Sequence, residues 1–285
     1  MKLSIIIVSY NSHAVLENCL HSIEKYNDLG EDLEVIVVDN YEKSDLTASS
    51  FRDFSIVVKY IKADNNGFGA GNNIGVANSA SNVLLFLNPD TILLESFFME
   101  VVRNIQVNPN LIYGFTLLSP EMNRNNSFSF MYDNFIVYHL LAYFKKHPNK
   151  KFMNYSFVNK RLWPWGAAFA ISKSAFIEAG RFDENIFLCN EEADLMKRVK
   201  KRKVIISDYK IIHLESHGVP ATVRRCYEFF KSRDYYFKKY NISKFNLFLW
   251  KHFTHLLALR DKRCINNEGR VNFYKAYIKY ISEKK

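Results

Sequence analysis

The first 118 residues alternate between continuous apolar runs and stretches of mixed polarity. Runs 3–9, 33–38 and 83–87 consist mainly of β-branched, aliphatic and aromatic residues, which is typical of strands buried on both faces. Between the first two runs, residues 12–26 place their apolar side chains on one helical stripe. Strands that alternate with helices predict right-handed crossovers, a mostly parallel sheet and an α/β fold.

The same signals continue along the chain up to Pro220. Further strands are predicted over 55–61, 112–118, 167–171, 204–207 and 211–212, and further helices over 96–108, 172–180 and 191–201. A Gly/Asn turn over 65–75 opens another helix that runs to about residue 80. Residues 121–160 are either a helical lid, an acceptor-side insertion or a surface excursion. From residue 223 the pattern is helical to the C-terminus.

Polar residues follow several of the predicted strands. Asp39, Gly67 and Asp90 fall at strand ends or in the turns just after them. Because ligands of open α/β sheets bind beyond the carboxyl ends of the strands, we expect these three residues on one rim. A carboxylate such as Asp90 is a suitable ligand for Mg²⁺ or Mn²⁺, although Asn-Pro-Asp is also common turn chemistry.

Two histidines follow the last predicted strand. A neutral imidazole of His213 or His217 can complete a coordination shell that Asp90 begins. The alternative is that both are loop histidines with ordinary hydrogen bonds. Both interpretations stay open from the residues alone.

The densest group of acids lies over 182–194, directly after an aromatic Trp-Pro-Trp-Gly segment. Its carboxylates are Asp183, Glu184, Glu191, Glu192 and Asp194. Acids around an apolar patch suggest the lip of a cleft, where a carboxylate can act as a general base. The structural alternative is a helix start, with Asn190 as the cap and acids in the first turn.

Charge is distributed unevenly along the chain, whose formal net charge is +10. Residues 223–285 hold 16 Lys/Arg against 5 Asp/Glu, whereas residues 1–222 hold 23 against 24. The basic excess therefore belongs to the C-terminal segment, which could meet nucleic acid, an anionic membrane surface or a diphosphate-bearing substrate. A plain solvated basic surface is the alternative.

Other composition features narrow the class of protein. The four cysteines lie far apart, so neither a zinc site nor a disulfide framework is indicated and we expect a reducing compartment. The start of the chain does not resemble a signal peptide, and no apolar run approaches the roughly 18 residues that span a bilayer. Gly67-Phe68-Gly69 opens a helix as in a dinucleotide-binding dehydrogenase, but Asn72 stands at the third glycine position and the turn follows the third strand.

Taken together, these segments resemble family 2 glycosyltransferases with the GT-A fold, especially bacterial rhamnosyltransferase-like members, over about residues 3–240. The segments are VSYN at 8–11, VVDN at 37–40, NNGFGAGNNIG at 65–75, FLNPD at 86–90, WGAAFAISKSAF at 165–176, GRFDENIF at 180–187, EEADLMKR at 191–198 and HLESHG at 213–218. The resemblance implies a Rossmann-like domain over 1–222, with a nucleotide-donor half (1–118) and an acceptor and catalytic half (119–222), followed by a basic helical segment over 223–285.

The resemblance also implies roles for individual residues. The nucleotide-binding residues would be Ser9, Tyr10, Asn11, Asp39, Gly67, Asn72 and Asn88. Asp90 and His213 would hold Mn²⁺ or Mg²⁺ on the donor diphosphate, and Glu192, with Glu191 beside it, would supply the base. The sugar and acceptor pocket would involve Trp165, Gly166, Asp183, Asp194 and His217. Two positions depart from the family pattern, because Asn88 and Glu192 each replace an aspartate.

The function implied is inverting transfer of a sugar, including rhamnose, from a UDP- or dTDP-sugar to a glycan or polyprenyl-diphosphate-linked acceptor. Such enzymes build cell-surface polysaccharides such as O-antigen and capsule. We therefore expect a cytoplasmic protein held peripherally on the inner face of the membrane by its basic segment, with no nucleic-acid partner. A nucleic-acid-binding protein and an NAD(P)-dependent dehydrogenase are the alternatives.

Overall fold

A computed structural model describes residues 1–130, 162–214, 222–262 and 267–283. The strands are β1 Leu3–Ser9, β2 Leu33–Asp39, β3 Val57–Lys62, β4 Val83–Leu87, β5 Thr91–Leu93, β6 Leu111–Leu118, β7 Phe128–Phe130, β8 Leu162–Pro164, β9 Ala168–Ser172 and β10 Lys203–His213. The α-helices are α1 His13–Lys25, α2 Phe68–Ala77, α3 Phe98–Val107, α4 Lys173–Glu178, α5 Glu191–Arg198, α6 Val223–Lys239, α7 Lys244–Lys262 and α8 Glu268–Ser282. Short 3₁₀ turns cover Gly30–Asp32 and Ala48–Phe51.

The large sheet has eight strands in the order β3-β2-β1-β4-β9-β6-β10-β5. Strands β1 to β4 pair in parallel, as do β6 and β10. Strand β9 runs antiparallel between β4 and β6, and β5 runs antiparallel to β10. The α/β prediction is confirmed, and the antiparallel strands make the sheet mixed. As a result, the ends of the parallel strands and the starts of β5 and β9 share one edge, which we call the ligand edge.

The sheet is buried on both faces because its inner strands are apolar throughout. Alternate residues of one strand serve different faces, as the pleat requires. Ile5 and Ile7 of β1 join one core layer with α1 and α3, whereas Ile6 and Val8 join the other layer with α2, α4 and α5. The second layer centres on packed phenylalanine rings, including Phe86.

Strand β10 was predicted as two short strands, over 204–207 and 211–212, but the structure has one strand here. It is continuous over Lys203–His213, and its pairing with β6 shifts register between Ile206 and Lys210. The polar residues at that shift interrupt the hydrophobic pattern without ending the strand, as a bulge does. The continuous strand carries His213 to the ligand edge.

The described parts of residues 223–285 are helical, as predicted, and have a small core of their own. That core contains Cys226, Phe230, Ala258, Ala276, Tyr277 and Tyr280. Within the ranges given above, no helix combines the length and apolar character needed to cross a membrane. Most of the stretch 121–160, with its alternative interpretations, lies outside the described residues.

Candidate active site

Asp39 is the first polar group at the ligand edge. Its side chain is fully buried at the end of β2. One carboxylate oxygen accepts a hydrogen bond from the Tyr41 amide at 3.0 Å, and the other accepts one from the Tyr60 hydroxyl at 3.0 Å. Lys62 adds an ammonium group at 3.4 Å. Burial alone would raise the pKa of Asp39, but hydrogen bonds, first from Ser44, and the Lys62 charge hold the pKa below its ordinary value.

The exposed surface beside Asp39 is aromatic. Tyr10 is 48% exposed at the end of β1, and its ring meets the edge of Tyr41 with the centroids 5.4 Å apart. The adjacent Asn11 has a left-handed backbone with φ of 52°. Ser9 is buried, and its hydroxyl has no hydrogen-bond partner among the described residues. Tyr10 and Asn11 are therefore the exposed members of this group, and Tyr10 offers an aromatic ring to a ligand.

The Gly/Asn turn contacts the acidic stretch directly. Gly67 has φ of 105°, and a Cβ atom there would collide with the Phe187 carbonyl. That carbonyl accepts a hydrogen bond from the Phe68 amide at 3.0 Å. At Gly69 an added Cβ would lie 3.0 Å from the Cβ of Phe182. The turn therefore needs glycine for close packing against 182–187, a reason that the sequence did not indicate.

The asparagines of the turn have structural partners too. Asn72 is buried and donates to the Phe68 carbonyl within α2 at 3.0 Å. Asn73 donates to the Phe182 carbonyl at 3.0 Å and to Glu184 at 2.9 Å, and it accepts from the Phe182 amide at 3.1 Å. These bonds attach the acidic stretch to α2.

Asp90 and His213 come together where β5 pairs with β10. A carboxylate oxygen of Asp90 lies 3.4 Å from Nε2 of His213, and the Leu214 amide donates to the Asp90 carbonyl at 2.9 Å. A carboxylate and an imidazole this close fit a divalent cation that takes its other ligands from phosphate and water. Within the described residues no group of three or more acidic, His or Cys side chains could hold a metal, and the close pair at this position is Asp90 with His213.

Glu192 lies against Gly166, which is connected to the Asp90 turn through Ala167. A Cβ atom on Gly166 would collide with the Glu192 carboxylate. The next residue, Ala167, accepts a hydrogen bond from the Asn88 amide at 2.8 Å, two positions before Asp90. Trp165 is half-buried and packs on the core beside this glycine. The side-chain contact of Glu192 with Gly166 and the backbone hydrogen bond between Ala167 and Asn88 thus connect Glu192 to the Asp90 turn.

The two adjacent glutamates face different neighbours. Glu191 is buried, and its side chain points towards Gly69 of α2, whereas Glu192 lies on Gly166. Burial, followed by the charge of Glu192, raises the pKa of Glu191 well above its ordinary value. Burial also raises the pKa of Glu192, to about 7. No cation among the described residues pairs with either of them, so burial is not offset by a positive charge.

The start of α5 differs from an ordinary capped helix start in two ways. A helix N-terminus favours ionised carboxylates, but burial of Glu191 and Glu192 favours their neutral forms. Asn190 precedes the helix, yet its backbone is left-handed with φ of 74° and its side chain makes no capping hydrogen bond. The helix start is therefore not a conventional cap, and its two glutamates have no cation paired with them within the described residues.

Asp183 and Asp194, expected in the acceptor pocket, instead bind α6. Lys239 lies 2.6 Å from each of them, and Arg198 lies 2.5 Å from Asp194. Asp194 is fully buried, so its ion pairs leave no oxygen open to an acceptor. Asp183 is half-buried, and its carboxylate is occupied by Lys239 and by the Tyr235 hydroxyl at 2.9 Å. Both aspartates thus have structural partners, and their role in acceptor binding stays a prediction.

Sequence reasoning missed several of these partners. Tyr60, Lys62 and Lys239 lie far along the chain from the carboxylates that they bind, and no local motif marks them. Asn88 keeps a buried side-chain oxygen that has no hydrogen-bond partner among the described residues. His217 lies outside the described residues. A groove of about 400 Å³ lies beside Asp183 and Lys239, but Asp39, Asp90 and Glu192 do not line it, so we place the site at the ligand edge.

Comparison with known proteins identifies the family of this chain. The family model described as "Glycosyl transferase family 2" matches residues 4–182. Rhamnosyltransferase WbbL of Escherichia coli (strain K12) is 25% identical over 228 residues, which cover 75% of this chain and 83% of that protein. Low-salt glycan biosynthesis hexosyltransferase Agl10 of Haloferax volcanii is 27% identical over 222 residues, covering 74% of this chain and 65% of the relative.

Two solved structures share the fold at low sequence identity. The mannosyltransferase PcManGT from Pyrobaculum calidifontis, in complex with GDP-Man and Mn²⁺, has a TM-score of 0.59 at 11% identity and is covered over 88% of its length. GalNAc-T7 with UDP, GalNAc and Mn²⁺ also has a TM-score of 0.59, at 12% identity. This chain spans 55% of the GalNAc-T7 chain and is itself covered over 98%. The GT-A fold is thereby confirmed, and the chain belongs to glycosyl transferase family 2.

Proposed function

We propose that this protein transfers a sugar from a nucleoside-diphosphate donor to a hydroxyl group of a glycan or polyprenyl-diphosphate-linked acceptor. The observation that carries the proposal is the position of the Glu192 carboxylate, which lies on Gly166 beside the Asp90 turn and whose pKa is raised by burial. A base that titrates near neutral pH is well matched to removing a proton from an alcohol during attack. Nucleic-acid binding and hydride transfer receive no comparable support from the ligand edge.

The donor nucleotide binds, in this proposal, across the ends of β1 and β2. Tyr10 offers an exposed ring for stacking on the base, and Asp39 offers a carboxylate that is kept ionised. A carboxylate accepts several hydrogen bonds, so a base N–H can replace the long Lys62 contact at Asp39. A UDP- or dTDP-sugar fits this arrangement, and the similarity to a rhamnosyltransferase makes rhamnose the first sugar to test.

Asp90 and His213 are the residues that would hold Mn²⁺ or Mg²⁺ next to the donor diphosphate. When bound, the cation neutralises the charge that develops on the departing diphosphate. Asn88 replaces a second carboxylate, so the protein supplies less negative charge here. We therefore expect weak metal binding without nucleotide.

The transfer step requires a base, a nucleophile and a leaving group in line. Ionised Glu192 takes the proton of the acceptor hydroxyl while the oxygen of that hydroxyl forms a bond to the anomeric carbon. The bond from that carbon to the diphosphate oxygen breaks on the opposite side, so the configuration inverts. The Glu192 carboxylate occupies the space that a Cβ atom at position 166 would take, so this position of the base requires glycine there.

A thermal-shift panel and a transfer assay test this function together. UDP or dTDP should raise the melting temperature, and more so with Mn²⁺ or Mg²⁺, because ligands that bind only the folded state stabilise it. Asp90→Ala should remove the metal-dependent part of the shift and leave the nucleotide part. An unchanged metal-dependent shift in Asp90→Ala would place the metal elsewhere, and no transfer from any UDP- or dTDP-sugar would reject these donor classes.

The membrane surface is the second partner that we propose, through helix α7. Phe245, Phe248, Leu256 and Leu259 are 40–63% exposed, and at 100° per residue they fall within about 80° of arc. Lys244 and Lys251, both exposed, lie at the edge of this arc. An apolar helix face bordered by lysines, in a segment with 16 basic and 5 acidic residues, fits an anionic lipid surface.

Vesicle co-sedimentation tests the α7 face. The protein should pellet with anionic but not neutral vesicles, and added salt should reduce the pelleted fraction. Phe245→Ser combined with Phe248→Ser should lower that fraction, whereas Met99→Ser, which alters a residue 58% exposed on α3, should not. Equal recovery in the supernatant with both vesicle types would exclude this attachment.

A further inference from the structure

Helix α6, the first helix of the basic C-terminal segment, contacts the segment that carries the proposed base. Lys239, at the end of α6, bridges Asp183 and Asp194 with 2.6 Å contacts to both. The Tyr240 hydroxyl donates to Asp194 at 2.8 Å, and the Tyr235 hydroxyl donates to Asp183 at 2.9 Å. We call this set of contacts the α6 clamp.

The clamp also includes contacts at the middle and start of α6. The Ser232 hydroxyl accepts from the Leu188 amide at 3.4 Å, and the Arg224 guanidinium lies over the Phe187 ring at 5.9 Å. From α5, the Lys197 ammonium lies 4.1 Å from the Tyr240 ring centroid. Contacts therefore join α6 to the chain on both sides of Glu191 and Glu192.

The opposite side of this segment is attached to the donor-side helix α2. Asn73 holds Phe182 and Glu184, and the Phe68 amide holds the Phe187 carbonyl. The residues that lead into α5 thus lie between two anchors. Cys189 and Asn190, just before the glutamates, have left-handed backbones with φ of 69° and 74°. Non-glycine residues rarely adopt that conformation unless the surroundings hold them there.

We propose that Lys239 is a positioning residue, which fixes the first turn of α5 so that the Glu192 carboxylate stays on Gly166. The inference rests on the proposed function, in which Glu192 is the base. Asp194 lies in that first turn and is fully buried, so the bridging ammonium fixes the turn through a desolvated charge. The basic C-terminal segment is then part of the catalytic apparatus and not only an attachment surface.

The test replaces Lys239 and compares it with its neighbour on the same helix. Lys239→Met should lower kcat by roughly 10–100-fold, because small displacements of a reacting group are costly. KM for the donor and the affinity for nucleotide should stay within about twofold, since the donor site does not include α6. Lys239→Arg, which keeps the charge and its donors, should recover most of kcat. Lys238→Met removes an exposed lysine one position away and should behave as wild type.

Hydrogen exchange gives a readout that does not depend on turnover. Amides over 186–194 should exchange faster in Lys239→Met than in Lys238→Met, while those of β1 and β2 should be unchanged. If Lys239→Met does not fold, Tyr240→Phe removes one hydroxyl from Asp194 and should show the same changes more weakly. Wild-type kcat in Lys239→Met, or equal loss of nucleotide binding and kcat, would overturn the positioning role.

The failure of this inference can be told apart from failure of the proposed function. If the wild-type protein transfers no sugar, but amides over 186–194 still exchange faster in Lys239→Met than in Lys238→Met, the α6 clamp is supported and the assignment of Glu192 as the base is not. If Glu192→Gln abolishes transfer while Lys239→Met leaves kcat unchanged, the base assignment is supported and the positioning role of Lys239 is rejected.

Discussion

Residues 183–194 contain two pairs of carboxylates that the fold treats in opposite ways. Asp183 and Asp194 are paired with cations, which lie within 2.6 Å. Glu191 is buried and Glu192 half-buried, and within the described chain neither glutamate has a cation paired with it. The pKa of Asp183 is accordingly lowered, by hydrogen bonds that outweigh burial, whereas burial raises the pKa of both glutamates.

The difference separates charge that stabilises structure from charge that is available for chemistry. A buried carboxylate with cationic partners stays ionised and resists protonation. A buried carboxylate without them takes up a proton near neutral pH, as a general base must. Acid density in a sequence therefore does not identify a base, because the neutralising partners decide which acids remain reactive.

The largest expected effect is on kcat, when the ability to accept a proton is removed from the glutamate pair. Glu192→Gln keeps the shape of the side chain and should lower kcat by roughly 10²–10⁴-fold. Nucleotide binding and melting temperature should stay near the wild-type values. Steady-state transfer assays, with nucleotide thermal shifts as the folding control, measure both effects.

Glu191→Gln is the matched variant for that experiment. Because Glu191 is buried against α2, its amide should leave most of the transfer activity. If the Glu191 variant is inactive and the Glu192 variant active, the base is Glu191. If both variants remain active, the start of α5 is structural and the mechanism proposed here is wrong.

The second prediction removes charge from the aspartate pair. Asp194→Asn leaves Arg198 and Lys239 without their buried counter-charge, and breaking such a pair should cost about 3–5 kcal/mol of unfolding free energy. Urea unfolding followed by circular dichroism measures this loss. Asp53→Asn, which alters an exposed residue of a turn, should change the free energy by less than about 0.5 kcal/mol. Equal unfolding free energies of Asp194→Asn and Asp53→Asn would mean that the ion pairs of Asp194 do not stabilise the fold, and the aspartate pair would then not have the structural role that we assign to it.

The sheet was predictable from sequence because its information is local. Continuous apolar runs identify the buried strands β1, β2 and β4, and strand–helix alternation predicts their parallel order. The antiparallel insertion of β9 was not predictable, because a buried apolar strand has the same pattern in either direction. Strand β10 was divided in the prediction because the polar residues at its register shift resemble a loop.

The site was predictable only where a motif is local. Asp90 and Glu192 stand in short segments that resemble family motifs, so their positions could be proposed from sequence. The compensation of Asp183 and Asp194 depends on Lys239, whose distance along the chain hides it from any pattern. The resemblance alone placed those two aspartates at the acceptor, and no local pattern indicated their ion pairs across the fold.

The third prediction uses pH to sharpen the contrast. Glu192 must be ionised to accept a proton, and the raised pKa of its carboxyl is about 7. In the free enzyme, kcat/KM should therefore rise with pH through about 7 and fall about tenfold per unit below it. A rate profile between pH 5.5 and 8.5 gives this pKa. A profile without an inflection between pH 6 and 8 would argue against Glu192 as the base.

The last and smallest effect concerns stability, where the two pairs should respond to pH with opposite signs. The folded pKa of Asp183 lies below its ordinary value, so its contribution to stability is present above pH 4 and lost as the pH falls through the folded pKa. The folded pKa of Glu192 lies above its ordinary value of 4.5, so its contribution is present below that value and lost as the pH rises through about 7. The unfolding free energy of wild type minus Asp183→Asn should thus fall by about 1 kcal/mol on acidification, whereas wild type minus Glu192→Gln should fall as pH rises. Parallel slopes would mean that both carboxylates share one environment.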